Sequence, residues 1–392
     1  MNQLQFVPAD SPVHRVNRNV YGALVRAQNS GFQAEFSNAS ELVQRVLSDL
    51  RLEIEIPSEW SARLPESVAD LSFTKLVAFY RDLLQLNGLP PDAMANHALN
   101  LAQRTHLVRA FADPDAIVAY VIGKVEAILD GFPKSADDIR CGRNPGDVLD
   151  PFILAATQTL LYSGDFEKAV AATVAHKALM MIEGLLGHLH EDVIGTMRGN
   201  IRAPEPRGTD QETLDLENNP FPGADVVQVP MGANDSISSH QLKSKTGSAK
   251  GGDGRRLGLQ LKALRKNYGG KVFYHALIGN TLRGHRSKAG VEKAVPSVVV
   301  LVGQASFQQL TRTRIGADLL LRVYQAAFTN VQARTGYNVD TMTSGIVATF
   351  RARADQQSES FLELLLREAT GGTRAEQDSR AFNRRPTQKT GP

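Results

Sequence analysis

The sequence is poor in the residues that characterise secreted and membrane proteins. Of its 392 residues a single one is cysteine, Cys141, so no disulfide can form within the chain and a reducing cytoplasm is the expected setting. We find no apolar run of membrane-spanning length, and the first residues lack a basic segment followed by an apolar one. These absences predict a soluble cytoplasmic protein.

The net charge is small, +3, but the charged residues are unevenly distributed. Residues 241–293 contain thirteen Lys or Arg against two acids, Asp253 and Glu292, so the rest of the chain is net negative. Such a concentration of basic residues is typical of a protein that binds a polyanion, because each phosphate that it neutralises releases counterions. An isolated basic run is more often a solvated surface. Here it surrounds the best candidate metal site, which favours nucleic acid.

The chain is longer than a usual single domain, and 42% hydrophobic residues are enough for a substantial core. Helical spacing of apolar residues recurs in the first half, over 40–52, 72–86, 95–111 and 114–129. We therefore predict an α/β (α+β) protein with a mainly helical lobe over residues 1–165. A mixed-sheet core with flanking helices is predicted over 166–370. Residues 371–392 have almost no apolar side chains and are expected to be disordered.

The second half alternates between strand and helix patterns. Strands are predicted around 225 and 241, then a helix, a strand, a polar loop and a buried strand over 255–268, 271–278, 279–294 and 297–302. This order is the one that a mixed sheet with covering helices needs. Amphipathic helices are predicted further on over 315–335 and 358–368, with a short strand over 345–350 between them.

The most informative segment runs from residue 223 to residue 245. Asp225 lies in Gly-Ala-Asp-Val-Val, and sixteen residues later the chain reads Gln241, Leu242, Lys243. Alternation along a strand places Gln241 and Lys243 on one face and Leu242 on the other. An acid and a lysine on neighbouring strands can hold a metal ion beside a phosphate. The pattern therefore favours cleavage of a phosphodiester.

These residues resemble the PD-(D/E)XK nuclease core, in a variant in which Gln241 stands for the second acid and Pro222 precedes the Gly-Ala-Asp segment. In length, in its helical first half and in the run over 241–252, the chain looks like the ApaLI-type type II restriction endonucleases. The resemblance implies Mg²⁺-dependent cleavage of duplex DNA at a short palindrome, GTGCAC for this subfamily. It also implies a homodimer and a companion DNA methyltransferase in the same system.

The resemblance also implies a role for each residue of the motif. Asp225 and Gln241, with the backbone carbonyl of Leu242, would supply the oxygen ligands that Mg²⁺ prefers. Lys243 would lie beside the attacking water and the phosphate, where it orients the nucleophile or stabilises developing charge. A glutamine in place of an acid leaves this site one negative charge short.

An acid from elsewhere is expected to supply the missing charge. In PD-(D/E)XK proteins a helix ahead of the first core strand often provides one, and Glu183 and Glu191 are the candidates. We favour Glu183, because its apolar neighbours Met181 and Leu185 predict an inward-facing turn. An ordinary acid on a helix surface is an equally good interpretation. Asp235 is a further candidate.

Seven basic residues are expected to contact DNA: Lys245, Lys250, Arg255, Arg256, Arg283, Arg286 and Lys288. The glycines among the first of them would allow the backbone to approach phosphates closely. In the predicted loop over 280–288, Arg283 or Arg286 is expected to reach guanine edges in the major groove. A solvated surface loop is the alternative.

Two other functions stay open. A repair or recombination nuclease of the same superfamily would recognise DNA structure in place of sequence. A noncatalytic DNA-binding protein on a degraded nuclease fold would explain Gln241 as a sign of lost metal binding. Nucleotide hydrolysis is not supported, because the glycine-rich segment lacks the Gly-Lys-Ser/Thr ending of a P-loop.

Overall fold

The computed structural model describes residues 18–29, 36–129, 150–204, 216, 219–230, 236–245, 253–278, 286–336, 338–357 and 360–370. These residues form a mostly helical protein with one mixed sheet of five strands, so the predicted α/β class is confirmed at this level. The N-terminal segments predicted to be helical are helical.

The helices of the described part are α1 (Arg18–Asn29), α2 (Ala39–Asp49), α3 (Phe73–Leu86), α4 (Pro91–Ala110), α5 (Pro114–Leu129), α6 (Pro151–Ala156), α7 (Phe166–Gly195), α8 (Asp253–Tyr268), α9 (Arg286–Ala294), α10 (Gln304–Thr311), α11 (Gly316–Thr335), α12 (Val339–Gln357) and α13 (Phe361–Thr370). The strands are β1 (Asn200–Arg202), β2 (Val226–Gln228), β3 (Ser238–Lys245), β4 (Lys271–Ile278) and β5 (Val299–Val302). Short helical turns at Ser58–Arg63, Val68–Asp70 and Thr157–Leu161 complete the set.

The strands follow one another across the sheet in chain order. β1, β2 and β3 are antiparallel neighbours, with Val226 opposite His240. β3, β4 and β5 run parallel, with Gln241 opposite Tyr274 and Tyr274 opposite Val300. Parallel neighbours need a long crossover, and α8 provides it between β3 and β4. The sheet therefore changes from antiparallel to parallel at β3, the strand that carries the candidate site.

Helix α8 covers one face of this sheet. Its predicted apolar residues Leu257, Leu261, Leu264 and Tyr268 are all buried, in a cluster that includes Tyr274 of β4. Because Gln241 is opposite Tyr274 in register, the side of the sheet that α8 covers is also the side to which Gln241 belongs. The packing of α8 thus fixes the layer in which the candidate residues lie.

The expected loop over 279–294 is partly wrong, because Arg286–Ala294 is helix α9. Its sequence is polar, and one side chain, Val291, is fully buried against α8. The two helices approach closely at Gly258, where an added Cβ would lie 2.4 Å from the Cβ of Ala294. Tertiary packing, which the local sequence does not reveal, therefore stabilises this helix.

The short strand predicted over 345–350 is also wrong, since these residues belong to α12. Ile346 and Val347 favour a strand by their branched side chains. Both are buried against Val170, Val174 and the apolar residues of α13. This packing outweighs the local β preference.

The chain divides into two compact units, each made of two segments. One unit comprises Met1–Ala119 and Leu186–Ala326, and the other Tyr120–Leu185 and Ala327–Pro392. The expected boundary between residues 165 and 166 falls within the second unit. The sheet and all its strands belong to the first.

One helix corrects the expectation that no segment reaches membrane-spanning length. Within the described part of the chain, α7 alone is long and apolar enough to cross a membrane, judged by length and composition. Its last turns bury Leu189, Val193 and Ile194, whereas Leu179 and Met180 further back are exposed. Apolar core helices of soluble proteins satisfy the same criterion.

Candidate functional site

The segment that carries Asp225 lies directly on helix α8. Gly223 has a φ of +75°, and a Cβ at this position would lie 2.9 Å from the Cβ of Gln260. The hydroxyl of Tyr268 donates a hydrogen bond to the carbonyl oxygen of Pro220 at 2.7 Å. Position 223 requires a glycine, because its φ is positive and a side chain would overlap Gln260. Contacts in the middle and at the C-terminal end of α8 therefore hold the approach to Asp225.

Asp225 immediately precedes β2 and joins three strands. Its amide donates to the carbonyl of His240 on β3 at 2.8 Å, and its own carbonyl accepts from the amide of Ala203, just after β1, at 2.9 Å. The carboxylate oxygen Oδ2 accepts from Gln241 Nε2 at 2.5 Å and from the amide of Leu242 at 2.6 Å. The structure thus brings Asp225, Gln241 and Leu242 together.

These hydrogen bonds determine how Gln241 is oriented. Its Nε2 donates both to the carboxylate of Asp225 and, at 3.2 Å, to the carbonyl of Leu242. An amide nitrogen facing a carboxylate leaves the amide oxygen Oε1 directed elsewhere. A second acid at this position would instead repel Asp225, since like charges at hydrogen-bonding distance raise the pKa of one of them. The glutamine replaces that repulsion with a hydrogen bond.

The donor set fits a hard divalent cation in its chemistry. The Asp225 carboxylate, the Leu242 carbonyl and the Gln241 amide oxygen are all oxygen ligands, although the amide must rotate to offer its own. Mg²⁺ commonly binds through one or two carboxylates together with water and substrate phosphates. No group of three His, Cys, Asp or Glu that could hold a metal occurs among the residues that the structure describes. Among the described residues, the carboxylate of Asp225 is the one hydrogen-bonded to Gln241 and Leu242.

Lys243 follows Gln241 by two positions on β3, so its side chain belongs to the same face of the sheet. It is half-buried and lies opposite Ala276 in the register with β4. Leu242 between them is buried on the other face, as alternation predicts. Lys245 ends the strand, and its side chain lies outside the described residues.

The acids proposed to complete the site are placed differently. Glu183 is exposed on α7 and belongs to the second compact unit, so the expected inward-facing turn is not found. Glu191 pairs with Arg202 at 3.0 Å, and Asp192 pairs with the same guanidinium. These ion pairs join α7 to the edge strand β1. Asp235 lies outside the described residues.

Some of the residues expected to contact DNA lie in the described part of the chain. Arg255 and Arg256 are exposed in the first turn of α8, and Lys262, Arg265 and Lys266 continue the exposed basic surface along that helix. Arg286 begins α9, and Lys288 in the same helix lies 3.5 Å from Glu292, so neither belongs to a loop. The side chain of Arg286, and the residues Lys250 and Arg283, lie outside the described part.

A buried histidine pair on the opposite face of β3 and β4 was not anticipated from the sequence. Nδ1 of His240 lies 2.9 Å from Nε2 of His275, and the His240 ring stacks on Phe273 with centroids 4.8 Å apart. Burial lowers the pKa of His240 well below its usual value, and the electrostatic effects of His275 and Arg312 act in the same direction. Burial also lowers the pKa of His275 to about 3. Both rings are therefore neutral at pH 7.

The alternation along β3 was the available signal for this pair, since it places His240 on the same face as the apolar Leu242. The partner could not be found in this way. His275 lies 35 positions further along the chain, and the register between parallel strands brings the two together.

We predict that mild acid destabilises the fold. Burial lowers the pKa of four histidines: to about 3 for His106 and His275, to about 4 for His190, and well below the usual value for His240. Below pH 6.5 these four histidines bind protons in the unfolded chain but stay neutral in the folded chain. The stabilisation is therefore present above pH 6.5 and is lost as the pH falls towards 3. At pH 5.5 the free energy of unfolding should fall by roughly 1.4 kcal/mol per histidine.

Urea unfolding at pH 7.5 and pH 5.5 measures this loss. His190→Gln should reduce the pH dependence by about one proton, because it removes one of the four groups. His97→Gln, at an exposed position on α4, is the matched control for the loss of one histidine. Equal stability at the two pH values would contradict the prediction.

No protein-family model matches this chain, and no curated protein matches it either. The chemistry of the site is therefore inferred from its own geometry. Its defining features are one carboxylate hydrogen-bonded across two antiparallel strands, an adjacent amide, and a lysine on the same face of the sheet.

Proposed function

We propose that the protein is a Mg²⁺-dependent endodeoxyribonuclease of the PD-(D/E)XK class, and more narrowly a type II restriction endonuclease that cuts duplex DNA at a short palindrome. The observation that carries the proposal is the carboxylate of Asp225, hydrogen-bonded to Gln241 and Leu242 across β2 and β3, with Lys243 on the same face. The order strand, strand, helix, strand, which such a core uses, supports it further. The ApaLI resemblance would make GTGCAC the target.

In this proposal Asp225, just before β2, and the residues of β3 have separate roles. Asp225, the amide oxygen of Gln241 and the carbonyl of Leu242 would hold Mg²⁺, which when bound polarises a phosphate and acidifies water. Lys243 would place its ammonium group against the scissile phosphate and stabilise the charge that develops there. Water adds to phosphorus, the bond to one ester oxygen breaks, and a phosphate monoester and an alcohol result.

The exposed basic surface of α8 supports DNA as the substrate. Its arginines and lysines lie on the solvent side of the helix whose other side covers the sheet. A row of cations at this spacing suits the phosphates of a DNA backbone more than base edges, because it follows the axis of one helix. A cytoplasmic location and a companion methyltransferase belong to the same proposal.

A noncatalytic DNA-binding protein is the second candidate function, and one observation favours it. The amide of Gln241 already satisfies the carboxylate of Asp225, so the site is complete without a cation. A nuclease that recognises DNA structure in repair or recombination is the alternative among enzymes. The presence and pattern of cleavage products distinguish these three functions.

We predict discrete cleavage products from phage DNA with Mg²⁺, and their loss in EDTA. Lys243→Ala should slow cutting by about a hundredfold or more, because it removes a group that stabilises transition-state charge. Lys75→Ala, at an exposed position on α3, is the matched control and should cut as the unmodified protein does. Cutting by Lys243→Ala at the normal rate would contradict the assigned role. A smear of products would indicate a nuclease without sequence specificity.

The same assay separates nuclease from binding protein through Gln241→Glu. A second carboxylate should lower the Mg²⁺ concentration needed for half-maximal cutting, because it restores the missing negative charge. Gln85→Glu, an exposed position on α3, makes the same change of charge away from the site. Retarded DNA on a gel, with no cutting by either the unmodified protein or Gln241→Glu, would leave the DNA-binding function alone.

We predict that Arg255 contacts phosphate. Arg255→Gln should weaken binding to all duplex sequences alike and reduce the slope of log K against log salt by about 1. Fluorescence anisotropy at several salt concentrations measures both quantities. Arg45→Gln, which breaks an exposed pair with Asp49, is the control for loss of one arginine. Weakening confined to a single target base would instead assign Arg255 a base contact.

A homodimer fits a palindromic target, since two-fold symmetry in the protein matches that of the site. The second unit exposes several large apolar side chains: Phe152, Ile153, Leu160, Leu161, Leu179 and Met180. Exposed apolar groups in such number are typical of an interaction surface. We therefore propose that this surface contributes to the dimer interface.

Light scattering after size-exclusion chromatography should give twice the mass of the chain. Leu160→Glu should shift the mass towards the monomer, because it places a charge in an apolar interface. Leu86→Glu, at another exposed leucine in the first unit, should leave the dimer intact. A monomeric unmodified protein would contradict the proposed dimer.

A further inference from the structure

The two edges of the sheet differ in how completely they are covered. At one edge, Asn200 and Ile201 of β1 are buried, and the side chain of Asn200 donates to two backbone carbonyls. At the other edge, Val299 and Val302 of β5 are 37% and 40% exposed. Among the described residues, no strand lies beside β5 on its outer side. β5 is therefore the open edge of the sheet.

The composition of β5 is that of an interior strand. Its sequence, Val-Val-Leu-Val, is continuously apolar, a pattern typical of strands that are buried within a parallel sheet. Natural edge strands are commonly protected by a lysine, a proline or a bulge, which prevents pairing with another chain. The four residues of β5 include neither of these residue types, and their register with β4 is continuous. The strand that the sequence predicts to be buried is thus left at an edge by the single chain.

The register of β5 with β4 fixes which backbone groups point outwards. The amide of Gly303 donates to the carbonyl of Ala276 at 2.8 Å, and Ala276 lies opposite Val302 in the register. In a parallel pair, a residue whose neighbours bond to the adjacent strand in this way directs its own N–H and C=O to the other side. Val302 and, by alternation, Val300 therefore each present a donor and an acceptor to the outer side of β5.

A second copy of β5, antiparallel to the first, matches these outward groups. When Val300 lies opposite the partner's Val302, the two residues exchange a pair of hydrogen bonds, and the two-fold axis repeats that pair. Leu301 then lies opposite the partner's Leu301, on the axis itself. Gly303, where an added Cβ would meet nothing within 4 Å, lies opposite the partner's Val299. The strand is thus complementary to itself, both in its hydrogen bonds and in its apolar side chains.

We propose that β5 pairs with β5 of a second copy of this chain, so that the two sheets form one continuous sheet of ten strands. This inference rests on the homodimer of the proposed function and names a strand at its interface. Four residues bury less than the roughly 800 Å² per partner of a stable interface, so other surfaces contribute to the same dimer. The absence of charge from β5 suits an identical strand, because such a partner offers the same valines and leucine in return.

The pairing has a consequence for the two candidate nuclease sites. The two-fold axis between antiparallel strands is perpendicular to the sheet, so the same face of each sheet points to the same side. Gln241 and Lys243 of both copies therefore belong to one side of the continuous sheet. The two β3 strands lie five strand spacings apart, roughly 24 Å. Two sites in this arrangement suit a single duplex, with one site for each DNA strand.

Cysteine cross-linking of the full chain tests the pairing, with Cys141→Ser added so that the introduced cysteine is the only one. Leu301→Cys should form a disulfide with its counterpart under copper-phenanthroline oxidation. Residues opposite each other without hydrogen bonds have Cα atoms about 4.5 Å apart, which is within disulfide range. Val299→Cys is the matched control on the same strand; it is more exposed, but its counterpart would lie roughly 14 Å away along the strand. A non-reducing gel should show about tenfold more covalent dimer for Leu301→Cys.

A second variant, Val302→Lys, needs no cross-link. A charge on an edge strand opposes pairing, so light scattering should show a dissociation constant of the dimer raised by about tenfold. Leu86→Lys, at an exposed leucine on α3, is the control and should dimerise as the unmodified chain does. Equal cross-linking of Leu301→Cys and Val299→Cys, or none, in a chain that is dimeric would overturn the strand pairing and leave the dimer of the proposed function. A monomeric unmodified chain would overturn both.

Discussion

The burial of the apolar face of α8 against the sheet is the interaction on which the first unit depends. Leu261 and Leu264 fill the layer between this helix, β4 and α9, and the parallel pairing of β3 with β4 needs the crossover that α8 provides. The same helix contacts Gly223 and Pro220, which set the approach to Asp225. One packed surface thus determines the topology, the position of the carboxylate and the outward direction of the basic side chains.

Elements with a complete local signal could be predicted from the sequence. The spacing of Leu257, Leu261 and Leu264 defines α8, and a segment rich in Val, Phe, Tyr and Ile defines β4. Helix α9 could not be found, because Val291 is its one fully buried apolar side chain and its support comes from α8. The error at Ile346 has the opposite cause, since a residue of high β preference lies in a helix that tertiary contacts stabilise.

In the candidate site, too, some features could be predicted from the sequence and others could not. The meeting of Asp225 with Gln241 follows from two neighbouring strands and the alternation along β3, which the sequence contains. The direction of the amide does not follow, because it depends on which hydrogen bonds are available in three dimensions. The histidine pair and the contact of His106 with Thr313 depend on the meeting of distant segments, and no local pattern encodes them.

Because of the hydrogen bond from Gln241 to Asp225, the packing of these strands does not depend on a bound cation. Paired acids without a metal repel each other, so proteins with such sites gain stability when the ion arrives. Here the carboxylate is already satisfied by an amide and by a backbone N–H group, and the strands meet without help from a cation. The meeting of these strands therefore does not depend on a cation to offset repulsion between paired acids.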